Sequence, residues 1–403
     1  MKLSKTDISL LIGTFIEHFD VAIYGFLAPI LGDLFFPQYA PTTKLILTYS
    51  VLASSLITKP IGIFIFGQIA RQKHPARALY FSFIGIGILT ASMGCLPTYT
   101  QVGIIAPILL FVFRILLGIF SAGEDCIGKL YLLENKSPQK RSIVSHLYQF
   151  GFIAAFVLAS GLSIPILSQS QSNFYWRIPF WIGGLLAFLG IFLRAQLKKQ
   201  ILQPLETIYR THILRVIWNE KKSIIRVASI SSLSYLTYYI PFVFLNTFVP
   251  MVTNISLKKM MYINTGLLLF DMCLLPLLAY CFKSFDARRT MFISSLLISF
   301  MSMPIFYHLP QSTIIYVTTF RIIIVILGLI YLGPMNALLF NQFQKPDKYI
   351  LVGLGESIGS SLLGKASPAI CFFLFQFTHS TLGPAIFVAS VGFIASLGVL
   401  YAK

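Results

Sequence analysis

Charge is what this chain of 403 residues has little of: 11% of it is Asp, Glu, Lys or Arg, where a soluble domain carries roughly 25%. Acids are the scarcer sign, 13 against 31 bases, for a net charge of +18. In a soluble protein that balance would suggest nucleic acid. Here no stretch is polar enough to fold separately and offer a binding face, so no nucleic-acid partner is expected. Cysteine is sparse too: Cys95, Cys126, Cys273, Cys281 and Cys371 show no paired spacing, which excludes a zinc or disulfide framework. There is no glycine-rich phosphate loop, no zinc-type histidine pair and no nucleophile elbow. An ATP-driven pump, an enzyme and a bound cofactor are therefore not expected. Also missing are segments of about 10 residues with strict in/out alternation, the mark of a membrane β-barrel.

What remains is apolar. Hydrophobic residues make up 56% of the chain and aromatics 15%. Runs of about 20 apolar residues, the length a helix needs to cross a hydrocarbon core of about 30 Å, are centred on residues 8–31, 45–69, 78–96, 102–123, 142–166, 178–194, 224–250, 261–282, 290–307, 313–340, 350–377 and 382–401. The pattern predicts an all-α membrane protein with twelve transmembrane helices. The first run follows a short basic head, carries acids at its centre and lacks a small-residue cleavage motif, so it reads as a retained helix and not a signal peptide. Basic residues cluster in connections 71–77, 129–141, 194–226 and 283–289, while the alternate connections hold only Lys44, Arg177, Lys258 and Lys259. By the positive-inside rule both termini face the cytoplasm. The bilayer is then the main surrounding surface, and a monomer is expected.

The two halves follow one plan. "FRILLGIF" from Phe113 resembles "FRIIIVILG" from Phe320, which aligns Arg114 with Arg321 at an offset of 207. "SPQKRSI" then matches "KPDKYI", and Gly151 pairs with Gly359 at 208. Together these indicate an internal duplication. Because the offset spans six helices, an even number, the halves share one orientation, the parallel arrangement of large secondary transporters. The predicted division is a six-helix bundle over 1–195, a cytoplasmic connection over 196–222 and a second bundle over 223–403. The connection is strongly basic and contains Pro204, which breaks a helix. It reads as a solvated linker or a short amphipathic helix on anionic lipid.

Several charges fall inside the spans. A charge at bilayer depth costs about 2.5–3.5 kcal/mol on insertion scales and so normally faces protein or water. In "GTFIEHFDVAIYGF", residues 13–26, Glu17 and Asp20 lie three apart and share a helix face with Gly13 and Tyr24. Two carboxylates in a low dielectric repel unless a proton neutralises one, which makes them candidates for proton coupling. A neutralising pair with a buried base is the alternative. His18 projects off that face and reads as a packing histidine. Arg114 lies near mid-depth in the fourth span, ahead of Glu124 and Asp125. It could clamp a substrate carboxylate bidentately, neutralise an acid of the first span, or pair with Glu124. Asp271 is expected to pair with Arg321, whereas Glu356 and Lys365, nine apart, should meet other helices. "ESIGSSLLGKASPA" from Glu356 combines small residues with a proline, a hinge or gate pattern.

These residues resemble the major facilitator superfamily, and more closely its metabolite:proton symporter branch, which includes bacterial proline/betaine transporters. "EHFDVAIYGFLAPILGDLFFP" is similar to that branch's first span, "KPIGIFIFG" to its second with Lys59 replacing Arg, and "APILLFVFRILLGIFSAGED" to its fourth. Glu134, Ser137–Pro138, Lys140–Arg141, Gly151 and "WRIPF" from Trp176 continue the likeness. It is good over residues 13–195 and weaker afterwards. The resemblance implies two six-helix bundles around a midplane cavity, rocking-type alternating access and proton-driven uptake of a small polar metabolite. It marks Glu17, Asp20 and Glu124 for proton coupling; Tyr24, Arg114, Arg321 and Glu356 for substrate; and Gly67, Arg71, Glu134, Arg141 and Arg288 for gating.

The family's signature loop, Gly-x-x-x-Asp-x-x-Gly-Arg, is altered. From Gly67 the chain places Arg71, His74 and Pro75 at the Asp, Gly and Arg positions, and the second copy, "KSFDARR", keeps only its basic end at Arg288 and Arg289. Losing that acid would remove a charged latch between the halves. No C-terminal coiled coil like that of osmosensing relatives is expected. The sequence thus suggests a secondary transporter in a bacterial cytoplasmic membrane, coupling proton entry to import of a small organic acid, amino acid or betaine. An uncoupled facilitator or exchanger, and a degenerate transporter fold acting as a receptor or regulatory protein, stand as alternatives.

Overall fold

The computed structural model describes residues 4–134, 136–168, 174–194, 213–281, 285–343 and 347–402. Ser4 starts the first helix with a capping box, exchanging bonds with Asp7 at 2.9 and 3.1 Å. The helices in the first half of the chain are α1 (Lys5–Phe26), α2 (Ala28–Phe35), α3 (Pro41–Ala53), α4 (Ser55–Gln72), α5 (Pro75–Met93), α6 (Tyr99–Val102), α7 (Ile105–Ala122), α8 (Lys129–Glu134), α9 (Pro138–Ser168) and α10 (Ile178–Arg194). Those in the second half are α11 (Ile213–Asn219), α12 (Lys221–Tyr238), α13 (Leu245–Val252), α14 (Leu257–Cys281), α15 (Ala287–Tyr307), α16 (Ile314–Phe340), α17 (Lys348–Gly359), α18 (Ser367–Thr378) and α19 (Leu382–Leu400). Among the described residues three π-helical turns, Gly123–Gly128, Tyr239–Phe244 and Ser360–Lys365, interrupt the α-helices.

Ten continuous helical stretches among the described residues are long and apolar enough to cross a membrane, and the bent pair Lys348–Lys365 with Ser367–Thr378 is an eleventh. The twelfth expected span, 178–194, is α10, 17 residues long. All twelve apolar runs are therefore helical, in keeping with a multi-pass membrane protein. Some are longer than their apolar cores: the fourth continues through the π turn to Glu134, so Lys129, counted above among connection residues, is buried inside a span. Most of the expected connection at 196–222 lies outside the described residues.

Local chemistry explains the breaks. Pro368 at the start of α18 has no N–H to continue the helix, and the chain bends by 41° there. In the altered signature loop His74 is the N-cap of α5, its Nδ1 accepting from the Ala76 N–H at 3.1 Å, with Pro75 in the first turn. The loop has found a different cap where the family motif has glycine and arginine. The "WRIPF" segment is structural as well. Trp176 is buried, and the Arg177 guanidinium donates to the Gly94 and Leu96 carbonyls at 2.8 and 2.6 Å.

Within the first half α1 packs on α9, α4 on α7 and α5 on α10; within the second, α12 packs on α17 and α15 on α19. The halves meet where α9 contacts α14 and α16, α4 contacts α17, and α3 contacts α18. Large apolar side chains outside these contacts, such as Ile88, Leu185, Phe300 and Phe377, are exposed, as a lipid-facing surface requires. Two glycines permit backbone-to-backbone approach, one in each half. A Cβ at Gly62 would lie 2.2 Å from the Ile119 carbonyl oxygen, and one at Gly359 would lie 1.9 Å from that of Ala228. Gly359→Val should thus destabilise the fold by about 1–3 kcal/mol through overpacking. A lowered unfolding temperature in detergent checks this; an unchanged one would show that α12 and α17 can separate freely.

Candidate functional site

Glu17, His18, Asp20 and Tyr24 of α1 are buried, and each meets an oppositely charged group or a hydrogen-bond partner. Asp20 accepts from Arg114 Nη1 at 2.7 Å and from Thr90 Oγ1 at 3.1 Å. The same guanidinium lies over the Tyr24 ring, 4.0 Å from its centroid, while the Tyr24 hydroxyl donates to the Thr48 carbonyl at 3.1 Å. The base of the fourth span thus neutralises an acid of the first. Arg114 is 3% exposed, and its Nε and Nη2 have no hydrogen-bond partner among the described residues.

Glu17 is held differently. Its carboxylate lies 2.7 Å from His18 Nδ1 and 3.8 Å from Lys365 Nζ, and neither oxygen accepts a well-aligned hydrogen bond. Lys365 comes from the π turn before the 41° bend, so the gate-like stretch of the sequence delivers a cation from the second half to an acid of the first. Glu17, Asp20, Arg114, Ser121 and Lys365 line a cavity of about 20 Å³, room for a single water.

Asp125 anchors a second group. Lys59 of α4 pairs with its carboxylate, Lys129 lies 3.7 Å away one turn on, and the Tyr235 hydroxyl donates to Oδ2 at 3.2 Å. Lys129 also pairs with Glu356 of α17, a salt bridge between the halves. His18 faces this group. Its Nδ1 is 2.8 Å from the Thr14 carbonyl and its Nε2 is 3.1 Å from the Tyr235 hydroxyl. A further cavity of about 30 Å³ is lined by His18, Asp125, Lys129, Tyr148 and Glu356 among others. Burying so many charges is tolerable only because each is paired; removing one partner of a buried pair typically costs about 3–5 kcal/mol. Glu17, His18 and Asp125 place ligand atoms within 4.8 Å of one another, as a cation site would. Lysine ammoniums already neutralise both acids, so the group offers a metal ion no net negative charge.

The seam is shut at both ends. At one end Arg71 Nε lies 3.1 Å from Asp347 Oδ1, the Tyr349 hydroxyl donates to Glu134, Arg141 Nη1 reaches Asn341 at 3.4 Å, and a Cβ at Gly67 would sit 2.6 Å from Ile350. At the other, Tyr49 stacks on Phe372 with centroids 5.9 Å apart, and Ser160 and Thr265 hydroxyls bond at 2.7 Å. The missing signature acid is replaced from the opposite half: Arg71 occupies its position and Asp347 supplies the negative charge.

Other expected residues lie apart from this seam cluster. Glu124 is fully buried, but its Oε1 lies beside Gly128 on the side of Leu79 in α5. Arg321 bonds Asn264 of α14, and Asp271 accepts from the Tyr238 hydroxyl at 2.8 Å, so the expected Asp271–Arg321 pair does not form. Arg288 is exposed, its backbone N–H donating to Asp286 at 2.9 Å at the start of α15. His18, expected to be a satisfied packing histidine, is packed on Phe152 and has a hydrogen-bond partner at both ring nitrogens. Sequence reasoning gave no role to Lys129, Tyr235 or Asp347. The i, i+4 spacing of Asp125 and Lys129 was the one signal available for that pair; the other two act through tertiary contacts alone.

Comparison with known proteins agrees with this architecture. The Major Facilitator Superfamily model matches residues 10–362. The Escherichia coli K12 "inner membrane metabolite transport protein YhjE" is 28% identical over 394 residues, covering 92% of this chain and 88% of that protein. The proline/betaine transporter of the same organism is 23% identical, over 98% and 83%. Among solved structures, the partially occluded inward-open xylose transporter XylE of E. coli superposes with a TM-score of 0.71 at 16% identity, over 98% and 96%. The human organic anion transporter MFSD10 gives 0.71 at 12% identity, over 98% of each chain. With its helices, its interior ionic seam and these matches in accord, the chain belongs to the Major Facilitator Superfamily and is a transporter, not an enzyme.

Proposed function

We propose that the protein is a proton-coupled symporter that imports a small carboxylate-bearing metabolite, such as a proline- or betaine-like zwitterion or an organic acid, by alternating access. The observation that carries this reading is the cavity at Arg114. A buried guanidinium with two unpartnered nitrogens faces the same small space as the Lys365 ammonium, and a carboxylate is the group that suits both. Asp20 keeps Arg114 in place between cycles. Glu17, held by ion pairs without a well-aligned hydrogen bond, is the acid of the proton-coupling site. The two six-helix units, residues 1–195 and 223–403, are taken to rock about this centre, with the Arg71–Asp347 end and both termini in the cytoplasm of a bacterium. The receptor alternative was favoured by both altered loops; the Arg71–Asp347 pair supplies an ionic contact at the first of them, which supports the transport reading.

The test is uptake by proteoliposomes of labelled proline, glycine betaine and succinate, with and without an inward proton gradient. Accumulation that collapses with a protonophore is expected for at least one of them. Glu17→Gln should leave binding of that compound but abolish gradient-driven accumulation. Full accumulation in the variant would remove Glu17 from the coupling role.

A further inference from the structure

The hydrogen bonds around His18 contain a choice that only a proton can settle. Nδ1 faces two acceptors, the Thr14 carbonyl and the Glu17 carboxylate, so it carries a hydrogen in every state. Nε2 faces the Tyr235 hydroxyl at 3.1 Å, and that hydroxyl is also 3.2 Å from Asp125 Oδ2. Tyr235 has one hydrogen to give. With a neutral ring it can donate to Nε2 or to Asp125 but not to both, so one of these two contacts is not a hydrogen bond, although Asp125 keeps Lys59. With a protonated ring, Nε2–H donates to the tyrosine oxygen, and the tyrosine donates to Asp125. Only then are the 3.1 Å contact of His18 with Tyr235 and the 3.2 Å contact of Tyr235 with Asp125 both hydrogen bonds.

We propose that His18 is the proton-binding switch of the transport cycle, with Tyr235 as its relay across the seam. This rests on the symport reading above and places the proton on the histidine beside Glu17. His18 and Asp125 belong to the first half and Tyr235 to α12 of the second, so the completed chain ties the halves together in the closed state. When Nε2 takes a proton, the tyrosine O–H turns from Nε2 to Asp125; when it loses one, the hydroxyl turns back and the tie weakens. No bond between heavy atoms changes. Water in the cavity of about 30 Å³ that His18 lines can deliver the proton, while Glu17 borders the cavity of about 20 Å³ on the other side.

The surrounding charges suit this role. The carboxylates facing the group are Glu17, Asp125 and Glu356, and the ammoniums are Lys59, Lys129 and Lys365. Tyr148, whose ring meets His18 edge-on at 6.5 Å, donates to the Asp125 backbone carbonyl. With a neutral ring the cluster is balanced, and with a protonated one it carries a single excess positive charge. A substrate carboxylate arriving at Arg114 and Lys365 cancels that charge, so the loaded state is favoured when proton and substrate are both present.

His18→Gln is the test, in proteoliposomes with labelled proline, glycine betaine and succinate. The variant should lose protonophore-sensitive accumulation of whichever compound the wild type concentrates, yet still exchange it in counterflow, which needs no net proton movement. Retained accumulation, or loss of counterflow in a folded variant, overturns the proposal. If the wild type exchanges but does not concentrate any of the three, the symport reading fails instead. Two measurements work without a foldable His18 variant, and the second also needs no known substrate. Tyr235→Phe should displace the pH profile of transport, and an unchanged profile counts against the relay. Nitrogen-15 spectra of labelled histidine in the reconstituted wild type should show the ring in contact with Tyr235 moving from Nδ1–H alone at alkaline pH to both nitrogens protonated at acidic pH. A ring protonated only on Nε2, or one that never takes the second proton, overturns the assignment.

Discussion

Arg114→Ala is expected to reduce uptake to background and to destabilise the folded protein, because the side chain has two partners that cannot replace it. Asp20 would remain buried with only the Thr90 hydroxyl, and leaving one member of a buried ion pair uncompensated costs about 3–5 kcal/mol. Arg114→Lys should restore part of the stability but little transport. An ammonium can neutralise Asp20, but it cannot also stack on Tyr24 and present two further N–H donors to the cavity. The double variant Asp20→Asn/Arg114→Gln removes both charges together and should recover expression and unfolding temperature while staying inactive. Transport by the double variant would show that Arg114 serves folding alone.

The second large effect concerns the latch. Arg71→Glu places two acids together where the Arg71 side chain is 2% exposed and that of Asp347 is 16% exposed, so the closed form should lose about 1.5–3 kcal/mol, or roughly tenfold to a hundredfold in the ratio of closed to open molecules. A native reporter lies nearby: Cys126 is buried, and its thiol is 3.5 Å from the Tyr349 carbonyl at this end of the seam. With the other four cysteines replaced by alanine, Cys126 should react with a membrane-permeant maleimide much faster in Arg71→Glu than in the parent. The exchange Arg71→Asp/Asp347→Arg should return the rate towards that of the parent. A labelling rate indifferent to Arg71 would mean that Tyr349–Glu134 and the packing of Gly67 on Ile350 close this end unaided.

Much of the fold was legible because apolar length is a one-dimensional signal. The bilayer imposes the span length, and all twelve runs became helices. The acids of α1 and the base of α7 were legible for the same reason, since charges stand out inside such runs. Pairing was not. Asp20 with Arg114 was one of three partners considered, while Asp271 with Arg321 was expected and is not formed, because helix rotation decides which of two nearby charges meet. Lys129 illustrates a further limit: it sits among polar residues in sequence, yet the fourth helix runs on past the π turn and buries it. The loop change at Arg71 looked like loss when read alone. Its compensation at Asp347 is a contact between the halves that no local pattern encodes.

The three π turns carry a consequence for how such a seam can move. A π turn holds one more residue than the α-helical turn it replaces, so shifting it along the helix by a few residues rotates the side chains it passes by about 100° without breaking the chain's overall path. Asp125, Tyr239 and Lys365 each lie within one of these turns. The helices that hold the ionic seam therefore contain slack in their winding, placed at the charges themselves. Part of the exchange of partners can proceed by local rephasing of a helix, ahead of any motion of the whole half to which it belongs.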